Sequence, residues 1–146
     1  ISGSSDDMKQ KIIAGFPTAV VTPCVNHPYR LLADNGYKIA RIDGKRFSRF
    51  TEGLARPYDV RLSRLMIETT KHLVEETVAR IGYTQSDEIS LAWHDEDPSA
   101  QSFLDRRVQK LTSILASMTT AFFNAHLAAA IPERAGVLAL FDCRVE

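Results

Sequence analysis

What most limits the folds open to this chain is the order in which its hydrophobic periodicity changes. Tyr37 to Ile42 alternates bulky and short side chains and runs into Asp43-Gly44, which reads as a strand followed by a tight turn. Lys45 to Thr51, with Phe47 and Phe50 three apart, reads as one or two helical turns. Asp59 is placed as an N-cap, and after it Leu62, Leu65, Met66, Leu73, Val74 and Val78 recur at helical spacing to about Arg80. Ile81 to Gln85 and Ile89 to Trp93 are β-prone runs on either side of Ser86-Asp87-Glu88, a hairpin with an acidic turn. A second long helix is predicted from near Leu104 to Ala129, with Val108, Leu111, Leu115, Met118, Phe122 and Ala125 as its apolar stripe. Pro132 and Gly136 then break the chain, and Val137 to Val145 alternates as a final strand.

Strand, helix, strand, strand, helix, strand is the ferredoxin-like, split βαβ order: an α+β fold with a four-stranded antiparallel sheet and helices on one face. Its central strands are the first and third. The end of the first strand therefore adjoins the turn between the second and third, so Asp43 and Asp87 converge although 44 residues separate them.

The chain of 146 residues, 45% hydrophobic, is sized for one domain with its own core. Residues 37–146 carry the pattern, and residues 1–36 read as an N-terminal extension. Within it Ala19-Val20-Val21 suggests a short strand, Pro17, Pro23, Pro28 and Asn35-Gly36 mark turns, and residues 1–5 read as a tag remnant. No apolar run approaches the roughly 20 residues of a membrane span, and the start is polar, so the expectation is a cytoplasmic protein with no membrane partner. Cys24 and Cys143 lie far apart in no ligand-like spacing and read as small packing residues rather than a disulfide or zinc site.

Net charge is zero, which gives no global sign of a nucleic-acid binder. The local distribution says more. Between Arg41 and Arg64 seven cations face three acids, whereas Ser86 to Asp105 holds six acids and no Lys or Arg. Such a split suits a site that pairs metal-binding carboxylates with phosphate-binding cations, and equally suits two ordinary solvated faces. Two convergent carboxylates repel, which invites a hard cation. Magnesium prefers oxygen donors and often keeps only one or two protein carboxylates, filling its shell with water and phosphate. Taken singly, Asp43-Gly44 and Ser86-Asp87-Glu88 are ordinary turn sequences, and only their joint placement makes a site. Along the second helix Arg106, Lys110, Ser113 and Ser117 share one polar face. Trp93 reads as sheet packing and His94 as a surface residue on an acidic loop running to Gln101.

Three segments resemble the tRNA-His guanylyltransferase family, whose members add nucleotides in the 3′ to 5′ direction with a polymerase-type palm. They are Arg41-Ile42-Asp43-Gly44-Lys45-Arg46-Phe47 with Phe50, Tyr83-Thr84-Gln85-Ser86-Asp87-Glu88-Ile89-Ser90, and Phe141-Asp142-Cys143-Arg144-Val145. Between the first two, Ala55-Arg56-Pro57-Tyr58-Asp59 is similar to the family's basic-Pro-x-Asp element. The resemblance implies a palm in which ATP adenylylates the 5′-monophosphate of a tRNA and the 3′-hydroxyl of GTP attacks that activated end. It implies two magnesium ions on Asp43, the Gly44 carbonyl and Asp87, with Ser86 and Glu88 supporting the site. Backbone amides from Gly44 through Lys45 and Arg46 to Phe47, together with Lys110 and Ser113, would contact triphosphate. Arg56 and Asp59 match positions of the activation step or substrate end, and relatives form homo-oligomers. Because the family continues past its last palm strand whereas this chain stops at Glu146, a non-catalytic nucleotide-binding or assembly module is the rival expectation. Another palm-type enzyme such as a nucleotide cyclase is the third.

Overall fold

Four short strands carry the sheet in this computed structural model, which describes residues 36–94 and 103–146. β1 (Tyr37–Gly44), β2 (Ile81–Gln85), β3 (Glu88–His94) and β4 (Phe141–Val145) lie in the order β2-β3-β1-β4, antiparallel throughout. The first and third strands are central, as the sequence order requires. α1 (Phe47–Phe50) is one turn, α2 (Val60–Thr77) and α3 (Val108–Ala130) are long, and 3₁₀ turns occupy Phe103–Arg106 and Pro132–Arg134. The readings of residues 1–35, Cys24 included, of the loop 95–101 and of the Arg106 side chain fall outside the described residues. Among the described residues, no helix is long and apolar enough to cross a membrane.

Period-2 alternation decides which face of each strand is covered. Ala40, Ile42, Ile89, Leu91 and Phe141 point toward the helices and are buried, and Trp93 joins them, its indole N–H donating to the Thr77 carbonyl at 2.9 Å. The partners Tyr37, Ile39, Arg41, Ile81 and Tyr83 face the other way and are exposed. Gly82 permits close helix packing, because a Cβ there would lie 2.5 Å from the Val74 side chain. At the carboxylate end, Phe47, Phe50, Phe123 and Phe141 form an aromatic cluster with centroids 4.8 to 6.0 Å apart.

The structure corrects several element details. α2 begins where Asp59 predicts it: the carboxylate accepts from the Arg61 amide at 2.9 Å. It ends at Thr77, because Val78 turns left-handed (φ 55°) and is 80% exposed instead of closing the stripe. Thr69, Thr70 and Thr77 occupy the buried face, each hydroxyl donating to the carbonyl four residues back, so polar residues serve as core. In α3 the buried positions are Leu111, Leu115, Thr119, Phe123 and Leu127, a strict i+4 run. Phe123 rather than Phe122 enters the core, and Phe122 stacks between His72 and His126. The helix starts at Val108 because Arg107 is extended (φ −75°, ψ 111°).

The largest departure lies in the last predicted strand. Only Phe141–Val145 joins the sheet, while Leu138 is 78% exposed and Ala139 is buried. The reason is Asn124, whose amide N donates to the Ala139 carbonyl at 2.7 Å and whose carbonyl oxygen accepts from the Ala139 amide at 2.9 Å. A side chain thus replaces a ladder partner. Cys143 is half-buried on the helix side of β4, and burial pushes its thiol up to about 12, in keeping with a packing role.

Replacing Asn124 by Ala strands a buried peptide group. We expect Asn124→Ala to lose about 2 kcal/mol in urea titration with little change in slope, the magnitude of an unsatisfied buried donor and acceptor.

Candidate functional site

β1 ends at Asp43-Gly44, and the Gly44 amide donates to the Asp87 carbonyl at 3.1 Å, which pulls the β2–β3 turn against the strand end. Asp43 stands opposite Glu88 on one side and opposite Asp142 on the other. Four carboxylates therefore gather at one edge of the sheet. Burial first, and then the charges of Asp87, Glu88 and Asp142, push the Asp43 carboxyl above its ordinary value of 3.8, with Arg144 opposing. Glu88 turns onto the open face and pairs with Arg41 at 3.3 Å.

Asp43 and Asp87 line a cavity of about 510 Å³ whose other walls include Gly44, Arg46, Phe47, Ser86, Arg56 and Asp59. Most of the site residues expected from the sequence are thus brought together. Its floor depends on Gly44: a Cβ there would meet the Phe47 ring at 2.3 Å, so glycine alone lets the aromatic cluster close beneath the backbone. Arg46 takes a left-handed conformation (φ 56°) to turn the chain into α1, and Ser86 does the same in the hairpin (φ 56°).

Two of the four amides expected to meet triphosphate are engaged within the fold: that of Gly44 by Asp87, and that of Lys45 by the Leu140 carbonyl at 2.8 Å. The amides of Arg46 and Phe47 have no backbone acceptor among the described residues. Lys110 and Ser113 do not line the cavity. They lie 13 and 10 residues before Phe123, about 20 and 15 Å along α3 from the residue that packs on Phe47. The Ser113 hydroxyl donates to the Gln109 carbonyl at 2.7 Å, and that of Ser117 to the Ser113 carbonyl.

Asp59 is buried and gripped by Arg61, which reaches on to Glu133 at 2.5 and 3.0 Å. Hydrogen bonds from Arg61 hold the Asp59 carboxyl well below its ordinary value and lower that of Glu133 as well. Arg134 donates to the Phe50 carbonyl at 2.9 Å and also to the Glu52 carbonyl. Glu133 and Arg134 therefore brace the cavity wall, and sequence reading took this stretch only as a break. Asp142 was also missed as a site group, although pairing the alternation of β4 against β1 would have set it opposite Asp43.

The cluster suits hard cations: carboxylate oxygens dominate, and the charge on Asp43 is unfavourable without a counter-ion. Among the described residues no group of three or more His, Cys, Asp or Glu side chains is placed to hold a metal ion, so any such ion would draw further ligands from elsewhere.

Two outcomes follow. Because the Asp43 pKa is raised on folding, its ionised form destabilises the metal-free protein, and this contribution fades as pH falls through the raised value. Asp43→Asn should melt above the parent at neutral pH in chelator, with the gap closing in acid. Gly44→Ala, which forces Phe47 off its neighbours, should cost about 1–3 kcal/mol in chemical denaturation.

A family model described as tRNAHis guanylyltransferase matches residues 24–146, beginning ahead of β1. An uncharacterized protein of Acanthamoeba polyphaga mimivirus is 39% identical over 97 residues, covering 62% of this chain and 33% of the relative. The tRNA(His) guanylyltransferase of Schizosaccharomyces pombe is 34% identical over 97 residues, covering 64% and 35%. Among solved structures, a bacterial tRNA(His) guanylyltransferase-like protein in complex with GTP superposes with TM-score 0.75 at 33% identity, over 97% of this chain and 61% of that one. The same kind of protein with ATP gives 0.76 at 33%, over 97% and 56%. The chain spans about a third of the length of these curated relatives. With the matched region running through every element of the sheet, the chain belongs to the tRNAHis guanylyltransferase family.

Proposed function

We propose that this chain forms the palm of a magnesium-dependent nucleotidyltransferase that adds guanylate, or another nucleotide, in the 3′ to 5′ direction to the 5′ end of a tRNA. The observation that carries it is the convergence of Asp43 and Asp87 on one cavity beside the open Arg46 and Phe47 amides. Family membership, and relatives solved with GTP and with ATP, support the same reading.

In this reading Asp43, the Gly44 carbonyl and Asp87 hold two magnesium ions, which supply charge neutralisation at phosphate oxygens and activation of the attacking oxygen. The chain's own part is placement. Asp43 and Asp87 are fixed by the sheet ladder and the Gly44 to Asp87 bond, so little reorganisation accompanies reaction. The Arg46 and Phe47 amides meet triphosphate oxygens, and Ser86 and Glu88 hold the hairpin turn in place. Arg56 lies exposed on the wall for the activated RNA end, and Asp59 stays ionised through its Arg61 clamp. Lys110 and Ser113 are assigned to no contact within this cavity.

The bond changes are two displacements. A 5′-phosphate oxygen of the RNA attacks the α-phosphorus of ATP and pyrophosphate leaves, giving an adenylylated end. The 3′-hydroxyl oxygen of GTP then attacks the RNA 5′-phosphorus, AMP leaves, and the hydroxyl proton passes to solvent. Both need the attacking and departing oxygens roughly in line.

Labelled GTP, ATP and 5′-phosphorylated tRNA give the test. Asp87→Ala should lower magnesium-dependent incorporation at least about a hundredfold, since losing a carboxylate that would hold the ions removes charge stabilisation at the reacting phosphate worth several kcal/mol. Unchanged incorporation by that variant would sink the mechanism. GTP-magnesium binding without product would instead indicate a binding module, and product from triphosphate alone a cyclase.

A further inference from the structure

The open face of the sheet is graded from charge to apolar surface. The first row holds Gln85, Glu88, Asp43 and Asp142, and the second holds Tyr83, Ser90, Arg41 and Arg144. The third holds Ile81, Ala92 and Ile39, and Tyr37 tilted against His94 closes the series with ring centroids 4.3 Å apart. Successive rows on one face are two residues apart, about 6.8 Å. Tyr83 and Ile81 are 59% and 64% exposed. Arg41 and Arg144 face each other directly across β1 and β4, where like charges are destabilising unless an anion lies between them. Arg41 leans on Glu88, while the Arg144 guanidinium has no hydrogen-bond or ion-pair partner among the described residues.

Direction of approach adds an independent constraint. The cavity that takes the nucleotide opens between α1, the segment 54–59 and the hairpin turn. Asp43 stands at its rim with the side-chain parity of the open face. An in-line displacement sets attacking and departing groups on opposite sides of phosphorus, so the acceptor reaches Asp43 from the side the nucleotide does not fill. That side is the open face. We propose that the row formed by Tyr83, Arg41 and Arg144 holds the unpaired 5′-terminal nucleotides of an RNA, the arginines binding the first internucleotide phosphate and the Tyr83 ring stacking on a base.

This assignment rests on the cavity being the nucleotide site, because cations bound at Asp43 and Asp87 would offset the carboxylate charge that adjoins the arginine row. Row spacing places the arginines one nucleotide step from the carboxylates. An exposed aromatic beside cations on a four-stranded sheet is the surface that single-stranded RNA favours, since stacking tolerates any base and the cations follow the backbone. The hydrogen bond from the Tyr83 hydroxyl to Gln85 Oε1, 3.1 Å, directs the ring along β2 toward the carboxylate row.

Fluorescence anisotropy with a labelled 5′-monophosphorylated single-stranded oligoribonucleotide, alongside calorimetry with GTP and magnesium on the same samples, tests the face and the cavity separately. Tyr83→Leu should weaken RNA binding about tenfold and Tyr83→Trp should restore it. Arg144→Gln should weaken it several-fold and reduce the salt slope by about 0.7. Both positions are exposed, so the fold is retained, as equal melting curves will verify. A blunt duplex should bind more weakly, and GTP affinity should be unchanged throughout. The proposal is overturned if the chain binds GTP but not the oligonucleotide, or if all variants bind RNA equally. It is also overturned if Tyr83→Leu acts by changing the mass in sedimentation, which would make the face a contact between copies. Variant-sensitive RNA binding without GTP binding would uphold the face and reject the cavity as the nucleotide site.

Discussion

The hydrogen bond from the Gly44 amide to the Asp87 carbonyl is the constraint on which the candidate site depends. Without it the β2–β3 turn would be free to carry Asp87 away from Asp43, as charge repulsion favours. The bond is possible because β1 and β3 pair in register from Tyr37↔His94 to Asp43↔Glu88, which brings the turn to the strand end. Cooperative pairing of the central strands thus sets the distance between two groups that would otherwise separate. Burial and the neighbouring carboxylates make the charge on Asp43 unfavourable in the fold.

Much of this arrangement was legible because it follows from period and order. Alternation in β1, β2 and β3 reports one covered and one open face, and element order alone places the first and third strands at the centre. Asp59 was readable as a cap because a short acid before an apolar helical stripe has few other uses. Where reading failed, the determining contact came from a residue distant in sequence. Val137 to Leu140 alternates like a strand, yet Asn124, fifteen residues before Ala139, satisfies its peptide group. Phe122 and Phe123 compete for the α3 core, and the aromatic cluster with Phe47 and Phe141 decides for Phe123. Period alone could not separate neighbours of equal hydrophobicity.

The site was legible to a similar degree and for the same reason. Asp43, Gly44 and Asp87 converge through sheet topology, which sequence order encodes. The backbone amides were not separable in advance, because whether an amide is open depends on a carbonyl elsewhere: Leu140 takes Lys45, and Asp87 takes Gly44. Lys110 and Ser113 share a helix face, but a helix can present a face anywhere along its length. Their separation from Phe123 follows from where α3 crosses the sheet.

The cavity has two halves of different origin. Its carboxylate half is held by the sheet ladder, whose bonds are buried and mutually reinforcing. Its wall, from Leu54 to Asp59, is a loop held from outside, by Arg61 bridging Asp59 to Glu133 and by Arg134 reaching the Phe50 and Glu52 carbonyls. The two halves respond oppositely to acid. Asp43, raised on folding, is relieved as protons bind, whereas Asp59 and Glu133, held below their ordinary values, keep their stabilising effect above those values and lose it as pH falls through the lowered ones. Acid should therefore loosen the wall while easing the repulsion between the carboxylates. Only where Asp43 is ionised and the Arg61 clamp is intact does a charged carboxylate half stand beside a braced wall.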